Sequence, residues 1–217
     1  MYFMTQQENV RMLDNKVDQQ AMRSPLHFMK GQRSKFLNDG DVGLTITEIS
    51  DSCYLNLRGK FDDANFVGGI DGVLNLELPT RPGTFSANDL ETIFWLGPDE
   101  WLIISNRPAN FLQLKLREVL RGHIAVTDVS GGYTKIRLVG PSLPSVLQKA
   151  SGYDFEAWLL DDTNQSRCAQ TNFAKATALV ALNEDNSFDV VVRRSFADYI
   201  AQWLLDAGRV QGCLIHK

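Results

Sequence analysis

Residues 94–104 constrain the fold of this chain more than any other stretch. They contain two apolar runs, FWL and WLII, separated by the four residues GPDE. Apolar runs rich in aromatic and β-branched residues, separated by turn-forming residues, are typical of a β-hairpin. Neither run alternates cleanly between apolar and polar residues, so we expect both faces of these strands to be covered.

Two pairs of residues in this hairpin could take part in chemistry. Trp95 and Trp101 could form a ligand cage, but we interpret them as core residues. Each buried indole removes about 150–250 Å² from water, worth at most about 4–6 kcal/mol, a large share of one domain's stability. Asp99 and Glu100 could act as an acid/base couple, but acidic residues at a turn are more typical of a solvated loop tip.

Length and composition limit the classes of function. The chain has 217 residues, of which 44% are hydrophobic, enough to bury a substantial core. Its formal net charge of −4 argues against a nucleic-acid or membrane-surface binder, since both need a basic face. No apolar run is long enough to span a bilayer, and the polar N-terminus lacks the pattern of a secretory signal. Three scattered cysteines fit a reducing compartment, so the sequence predicts a cytoplasmic protein.

The chain divides into three intervals by composition and pattern. Residues 1–40 form a polar N-terminal arm with a short apolar cluster at residues 24–29. This composition fits either a disordered arm or an arm that docks on a partner. Residues 41–122 and 123–217 then form two α+β lobes that together make one compact unit.

Each lobe is predicted to begin with a β-hairpin. Residues 44–49 and 53–58 alternate with period two on either side of a Ser-Asp-Ser turn. Residues 124–130 resemble the start of the first lobe position for position, and residues 133–138 return after Gly131 and Gly132. This likeness indicates an internal repeat with an offset of about 80 residues.

A second hairpin and a helix complete each lobe. Helices are predicted from Pro108 to Gly122, from Ser142 to Ala150, and from a Ser195 cap onward, and a hairpin joins residues 174–182 to 188–192. The glycines at 68–72 predict a structural turn, because no phosphate-loop Lys-Ser/Thr follows them. We therefore predict an α+β fold with two pseudo-repeated lobes of antiparallel sheet and flanking helices.

The sequence contains few candidates for catalysis or metal binding. His27, His123 and His216 lie far apart, and no His or Cys pair has the spacing of a zinc or iron–sulfur site. Cys168 follows Arg167, which could lower the pKa of its thiol, but we favour a packed or exposed cysteine.

Two arginines near the C-terminus could bind an anion. Arg193 and Arg194 precede the last predicted helix, whose N-terminus carries partial positive charge. We favour surface or interface arginines for this pair. The sequence therefore assigns no catalytic, cofactor-binding or metal-binding residue.

Several stretches carry a family resemblance that spans about residues 24–208. These are Gly69 with Leu76-Glu77-Leu78-Pro79, Leu96-Gly97-Pro98-Asp99-Glu100-Trp101-Leu102, Asp128-Val129-Ser130, Leu138-Val139-Gly140-Pro141, Val146-Leu147, Asp154-Phe155, Arg167-Cys168-Ala169-Gln170-Thr171 and Arg194-Ser195-Phe196-Ala197-Asp198-Tyr199. Together they resemble the gamma subunit of heterotetrameric sarcosine oxidase. The Leu-Gly-Pro-Asp-Glu-Trp segment is the most specific of them.

That family is in turn similar to the folate-binding part of the glycine-cleavage T-protein, most clearly over residues 128–147. The resemblance implies a T-protein-like fold but does not carry over a folate site. Residues 183–187 replace the Gly-Tyr-Thr-Gly-Glu turn of the T-protein. The cysteine motif of the related iron–sulfur maintenance proteins is also missing, with Cys168 alone in that region.

The resemblance implies a non-catalytic accessory subunit that packs on the flavin- and NAD-bearing subunits, with the alpha, beta and delta subunits as its partners in the complex. In such a complex sarcosine is oxidatively demethylated to glycine, the one-carbon unit passes to tetrahydrofolate, and hydrogen peroxide forms. No cofactor is expected on this chain, while FAD, FMN, NAD and zinc are expected on the partners. The alternatives are a stand-alone folate-binding protein related to the T-protein and, more weakly, an enzyme that uses Cys168.

Overall fold

The computed structural model describes residues 24–34, 42–160 and 167–216. The strands of that part are β1 (Leu44–Ile49), β2 (Cys53–Arg58), β3 (Phe85–Ala87), β4 (Glu91–Gly97), β5 (Glu100–Ser105), β6 (Ala125–Asp128), β7 (Tyr133–Val139), β8 (Arg167–Phe173), β9 (Ala176–Leu182), β10 (Phe188–Arg193) and β11 (Cys213–Ile215). Its helices are α1 (Ala64–Leu74), α2 (Ala109–Val119), α3 (Leu143–Ala150), α4 (Glu156–Leu159) and α5 (Arg194–Ala207), with a 3₁₀ turn at Ser130–Gly132. None of these helices has the length and apolar character needed to cross a bilayer.

The strands form two sheets. The six-stranded sheet has the order β11-β1-β7-β10-β9-β8, and the five-stranded sheet has the order β3-β4-β5-β2-β6. Neighbouring strands are antiparallel, except that β1 and β11 are parallel. This architecture of helices and two largely antiparallel sheets confirms the predicted α+β class.

The predicted hairpin at residues 94–104 is confirmed as β4 and β5. Its two tryptophans are cross-strand partners, and the register shifts by one residue before Gly97. Trp101 and Ile103 point to the cluster formed with α1 and α2. Leu102 and Ile104 point to the cluster shared with the six-stranded sheet. Both faces are therefore buried, which explains why neither strand alternates in sequence.

The layers follow from this arrangement. Helices α1 and α2 cover the outer face of the five-stranded sheet, and the two sheets pack face to face. Helices α3, α4 and α5 cover the outer face of the six-stranded sheet, where Val146, Trp158 and Ile200 are buried. The molecule therefore consists of four layers, with helices outside and both sheets inside.

The predicted hairpins at the start of each lobe are wrong. Strand β1 pairs with β7 and β11, whereas β2 pairs with β5 and β6. Likewise β6 and β7 lie in different sheets. The short connections from β1 to β2 and from β6 to β7 therefore pass from one sheet to the other. Alternation shows that one face of a strand is buried, but it does not reveal which sheet the strand joins.

This exchange is symmetric and supports the internal repeat. The order β3-β4-β5-β2-β6 matches β8-β9-β10-β7-β1 element by element. The first strand of each half, β1 or β6, therefore belongs to the sheet formed mainly by the other half. The boundary between residues 122 and 123 stays a prediction, and a cut there would leave each sheet without one of its strands.

The glycine-rich stretch predicted as a turn is instead helix α1. Asp63 caps its N-terminus by accepting a hydrogen bond from the Asn65 amide. Phe66, Ile70 and Leu74 recur every four residues and are buried. Burial of this apolar stripe outweighs the cost of the glycines, which is about 1 kcal/mol each in a helix.

Residues 24–34, here called the N-terminal strap, pack on the chain's own core. Leu26 and Met29 are buried in the cluster of the six-stranded sheet and α3–α5. The Gly31 amide donates to the carbonyl of Ile215, and Arg33 bridges to Leu214. The described part of the predicted arm is thus ordered on the chain's own core rather than disordered. Residues 1–23 and 35–40 of that arm lie outside the described residues.

The remaining helix and hairpin predictions hold with small shifts. Helix α2 follows Pro108, helix α3 follows Ser142, and β9 and β10 form the predicted hairpin. Helix α5 begins at Arg194 with Arg193 at the cap position, so Ser195 is not its cap. Strands β3, β8 and β11 were not predicted, because short or polar edge strands carry weak periodicity.

Candidate functional site

A cavity of about 470 Å³ opens where the strap, the β1–β2 connection and the start of α5 meet. We call it the strap cavity. Its walls are Ser24, Pro25, His27, Lys30, Glu48, Ile49, Ser50, Asp51, Ser52, Tyr54, Ser130, Tyr133, Thr134 and Arg194. The volume lies in the range of small-molecule sites, which is about 300–1,000 Å³.

Tyr54 is the most unusual residue of this cavity. It is 2% exposed, and its hydroxyl has no hydrogen-bond partner among the described residues. Its ring stacks on Tyr133 with the centroids 6.0 Å apart. Burial, reinforced by the charges of Asp189 and Glu48, raises the pKa of Tyr54 above its ordinary value. The phenol is therefore a neutral hydrogen-bond donor at physiological pH.

Glu48 ties the strap to the sheets beside the cavity. Its carboxylate accepts hydrogen bonds from the Ser24 hydroxyl, the Leu26 amide and the Thr134 hydroxyl. The last of these is 2.9 Å long. Sequence analysis missed both Glu48 and Tyr54, since each looks like an ordinary position in an alternating strand. Only the packing of the strap reveals their positions.

The predicted arginine pair does not converge on one site. Arg194 lines the strap cavity, whereas Arg193 lines a separate cavity of about 320 Å³ at the sheet edges. The Arg193 guanidinium lies over the Tyr133 ring, 4.4 Å from the centroid, a cation–π contact. The two arginines thus line different cavities.

The acidic pair of the β4–β5 turn is engaged in ion pairs. Arg58 Nη2 lies 2.6 Å from Asp99 Oδ2, and Arg58 Nη1 lies 3.7 Å from Glu100 Oε2. The Arg58 guanidinium holds the pKa of Asp99 below its usual value. A low pKa suits a carboxylate that stays charged and does not suit a general acid. Asn56 also donates to Glu100 at 2.7 Å.

Cys168 is a packed thiol. It is buried between the sheets, and its Sγ lies 3.3 Å from the carbonyl oxygen of Thr84. Burial raises the pKa of its thiol to about 12. A reactive cysteine needs the opposite shift, so the interpretation as a packed residue is the one that the structure supports. Cys53, Cys168 and Cys213 are all free thiols.

The two tryptophans of the hairpin pack in the core, as predicted, and do not form a ligand cage. Trp101 is fully buried, tilts against Phe66 and donates from its indole N–H to the carbonyl of Pro79 at 2.8 Å. Trp95 is half-buried against the same cluster.

The histidines remain apart, as their positions in sequence predict. His27 lines the strap cavity, His123 lies between α2 and β6, and His216 follows β11. Within residues 24–34, 42–160 and 167–216, no three His, Cys, Asp or Glu side chains gather as metal ligands would.

Three charged residues between the sheets, Lys135, Arg137 and Asp189, were not identified from the sequence. Asp189 is buried, accepts two hydrogen bonds from Arg137 at 2.7 and 2.8 Å, and lies 3.7 Å from Lys135 Nζ. Burial lowers the pKa of Lys135, and Asp189 opposes that shift. Asp189 contacts both cations, so this carboxylate fits a structural role rather than a reactive one.

The chain is similar in sequence to proteins of one family. Residues 58–209 match the family model described as "Sarcosine oxidase, gamma subunit family". The sarcosine oxidase subunit gamma of Corynebacterium sp. (strain U-96) is 25% identical over 195 residues, which cover 87% of this chain and 90% of that protein.

Two solved structures share the fold. A chain of heterotetrameric sarcosine oxidase from Corynebacterium sp. U-96, in complex with pyrrole 2-carboxylate, superposes with a TM-score of 0.71. It is 24% identical, and the match covers 85% of this chain and 93% of that one. The glycine cleavage aminomethyltransferase T from Bartonella henselae superposes with a TM-score of 0.54 at 14% identity, over 85% of this chain and 57% of that chain. The predicted T-protein-like fold is thereby confirmed, and the family match over both sheets shows that this chain belongs to the sarcosine oxidase gamma subunit family.

Proposed function

We propose that this chain is a non-catalytic accessory subunit of a cytoplasmic sarcosine-oxidase-type complex. The complex oxidatively demethylates sarcosine to glycine, passes the one-carbon unit to tetrahydrofolate and produces hydrogen peroxide. FAD, FMN, NAD and zinc reside on the alpha, beta and delta subunits, and this chain packs against them. The observation that carries the proposal is the family match over residues 58–209, which spans both sheets.

The contacts of the candidate catalytic residues support an accessory role. The Asp99 carboxylate is paired with Arg58, the Arg193 guanidinium stacks on Tyr133, and the Cys168 thiol is buried with a raised pKa. Each of these groups is occupied by a contact within the chain. Catalysis requires groups that converge on a substrate with a suitable pKa, and these groups do not.

A partner subunit needs an apolar surface to cover, and the α1–α2 layer offers one. Phe111, Leu114 and Val119 of α2 are 44%, 63% and 45% exposed. On α1, Gly68 and Gly72 are exposed, and no atom lies within 4 Å of a Cβ built on either. Exposed helical glycines destabilise the free chain and permit close approach of another backbone. We therefore propose this layer as the face that packs on a partner subunit.

Co-purification tests the proposal. The tagged full-length chain is co-expressed with the alpha-like, beta-like and delta-like chains of the same organism and isolated through its tag. We expect a stable complex with sarcosine oxidase activity. Failure to retain any of these chains would refute the accessory role.

Charge substitutions test the proposed face separately. Leu114→Glu should abolish retention of the partners, because a buried unpaired carboxylate opposes docking. Phe196→Glu is the matched control, since Phe196 is 44% exposed on α5, at the opposite outer layer. Circular dichroism checks that both variants fold. If Phe196→Glu breaks the complex and Leu114→Glu does not, the proposed face is wrong while the accessory role stands.

A further inference from the structure

A further cavity, of about 300 Å³, opens between the two sheets beside β7. We call it the cleft cavity. Lys135 and Arg137 of β7 line one side, and Asn88, Glu91 and Asn106 of the five-stranded sheet and its connections line the other. Most of its lining residues are polar or charged, although the two sheets pack on each other through apolar residues. The cleft cavity therefore places a lysine in a polar space between the sheets.

The side chain of Lys135 reaches this cavity from an apolar part of the six-stranded sheet. Its cross-strand neighbours are Ile49 on β1 and Val191 on β10, and Val191 is buried between the sheets. The Lys135 side chain keeps 13% exposure and lines the cavity. A small molecule in the cavity can therefore contact the amine, while most of the side chain is shielded from water.

The charged form of this amine is poorly stabilised. Its Nζ lies 3.7 Å from Asp189 Oδ2, beyond the usual length of about 2.7–2.9 Å for a charge-assisted hydrogen bond. Asp189 instead accepts two short hydrogen bonds from Arg137, which lies two residues along β7 on the same face as Lys135. An ammonium has three N–H donors, and burial without acceptors is costly. Burial and the positive charge of Arg137 lower the pKa of Lys135, and Asp189 opposes this shift.

The other titratable groups near the cavity do not restore the ammonium. Glu91 is buried and pairs with Arg107. Asp89 lies in the exposed β3–β4 connection, where water and salt screen its charge. Tyr54 of β2 has a raised pKa and is neutral at physiological pH. Lys135 is therefore a buried amine whose uncharged, nucleophilic form is favoured by its surroundings.

We propose that Lys135 is a site at which a small aldehyde attaches as an imine. The amine nitrogen bonds to the carbonyl carbon, and a proton moves from nitrogen to oxygen to give a carbinolamine. The C–O bond of the carbinolamine then breaks, and the oxygen takes a proton from solvent and leaves as water. The product is an iminium cation beside the Asp189 carboxylate, which stabilises its charge. The step needs no oxidant or cofactor.

The cleft cavity suits this chemistry in size and polarity. Its volume of about 300 Å³ admits a small aldehyde, and the side chains of Ser52 and Asn106 provide a polar wall for the carbinolamine hydroxyl. The site goes beyond the proposed accessory role and does not depend on it.

The test is reductive trapping on the full-length chain with formaldehyde and cyanoborohydride, which converts an imine into a stable N-methyl amine. Initial labelling of each lysine is measured by peptide mass spectrometry at pH 7 and pH 10. Each lysine is normalised to its own rate at pH 10, which corrects for differences in access. Normalised labelling at pH 7 should be at least about threefold higher for Lys135 than for the exposed Lys60 and Lys175, because more of its amine is uncharged.

Two results would overturn the proposal. One is the absence of labelling at Lys135 at either pH, and the other is a pH profile equal to those of Lys60 and Lys175. This comparison needs only the unmodified chain. Assembly with partner subunits is scored separately, so failure here is distinguishable from failure of the accessory role.

A variant tests the environment of the amine. Arg137→Gln removes the neighbouring cation and frees Asp189 to pair with Lys135, so the excess labelling of Lys135 at pH 7 should disappear. Arg209→Gln, at an exposed arginine after α5, is the matched control and should leave the Lys135 profile unchanged. Circular dichroism checks that both variants fold. An unchanged excess in folded Arg137→Gln would contradict the proposed site.

Discussion

Arg137 holds Asp189 through two parallel hydrogen bonds, of 2.7 and 2.8 Å, in the space between the two sheets. The two residues are cross-strand partners on β7 and β10. Asp189 is 3% exposed, and the side chain of Lys135 lies on its other side with 13% exposure. One carboxylate thus contacts two cations. The stability of the fold depends on this carboxylate, because its loss leaves buried positive charge unpaired.

Replacing this carboxylate should therefore be costly. We expect Asp189→Ala to lower the free energy of unfolding by about 2–3 kcal/mol, below the full cost of breaking a buried pair because Arg137 is partly solvated. Urea denaturation measures the change. Glu184→Ala, in the exposed β9–β10 loop, is the control and should stay within about 0.5 kcal/mol of the parent. A similarly small effect of Asp189→Ala would show that water compensates the two cations.

Substitution of Trp101 should cost more stability than substitution of Trp95. Trp101→Phe leaves the Pro79 carbonyl without its donor and opens space beside Phe66, so we expect a loss of about 2–3 kcal/mol. The half-buried Trp95→Phe should cost less than about 1.5 kcal/mol. Far-UV circular dichroism in urea is the appropriate measurement, since tryptophan fluorescence changes with the substitution itself. Equal costs at the two positions would contradict the assignment of Trp101 as the core residue.

Neighbouring glycines of α1 should differ in how much stability an alanine adds. Gly68→Ala and Gly72→Ala should each raise the stability of the isolated chain by about 0.5–1 kcal/mol, because both sites are helical and open. A Cβ on Gly69 would lie 2.8 Å from the Leu120 side chain, so Gly69→Ala should give no gain. Thermal unfolding of the three variants provides the comparison. A gain at position 69 equal to that at 68 would show that α1 and α2 are not tightly packed there.

Alkaline pH should destabilise the fold through Cys168. Its thiol pKa is about 12 in the folded chain and 9.0 in its ordinary state, so the unfolded chain loses this proton first. Stability is therefore complete below pH 9 and declines as the pH rises towards 12, by up to about 1.4 kcal/mol per pH unit. Urea unfolding at about pH 8 and pH 10.5 measures the decline.

Cys168→Ala separates this effect from other titrations. The variant should lose some packing energy at both pH values but show a shallower decline between them. Cys213, whose pKa burial raises to about 11, contributes in the same direction and remains in the variant. An equally steep decline in Cys168→Ala would assign the pH dependence to other groups.

The elements predicted correctly are those defined by contacts close in sequence. The β4–β5 and β9–β10 hairpins have turn-forming residues between apolar runs, and α2 follows a proline that suits a helix start. The family resemblance was also visible in sequence, because its most specific part, the Leu-Gly-Pro-Asp-Glu-Trp segment, is a continuous stretch of the β4–β5 hairpin. By contrast, α1 was mistaken for a turn, since its glycines obscured the spacing of Phe66, Ile70 and Leu74.

The candidate site depended on contacts that sequence patterns do not encode. Tyr54 and Glu48 lie in ordinary alternating strands, and their surroundings arise only when the strap folds back beside them. The residues chosen for their chemical types, such as Cys168 and Arg193, are instead engaged in packing. This agrees with the interpretation of Cys168 as a packed residue, because burial raises the pKa of its thiol.

The amino-acid sequence by itself determined the class of the fold, the repeat, the main hairpins and the family. Only the tertiary structure decided that β1 and β6 exchange between the sheets and that residues 24–34 close a cavity against them. The physical reason is that alternation specifies which side of a strand is apolar, and a turn specifies where the chain changes direction. Neither specifies the distant strand that completes the hydrogen bonds, which depends on how all layers pack together.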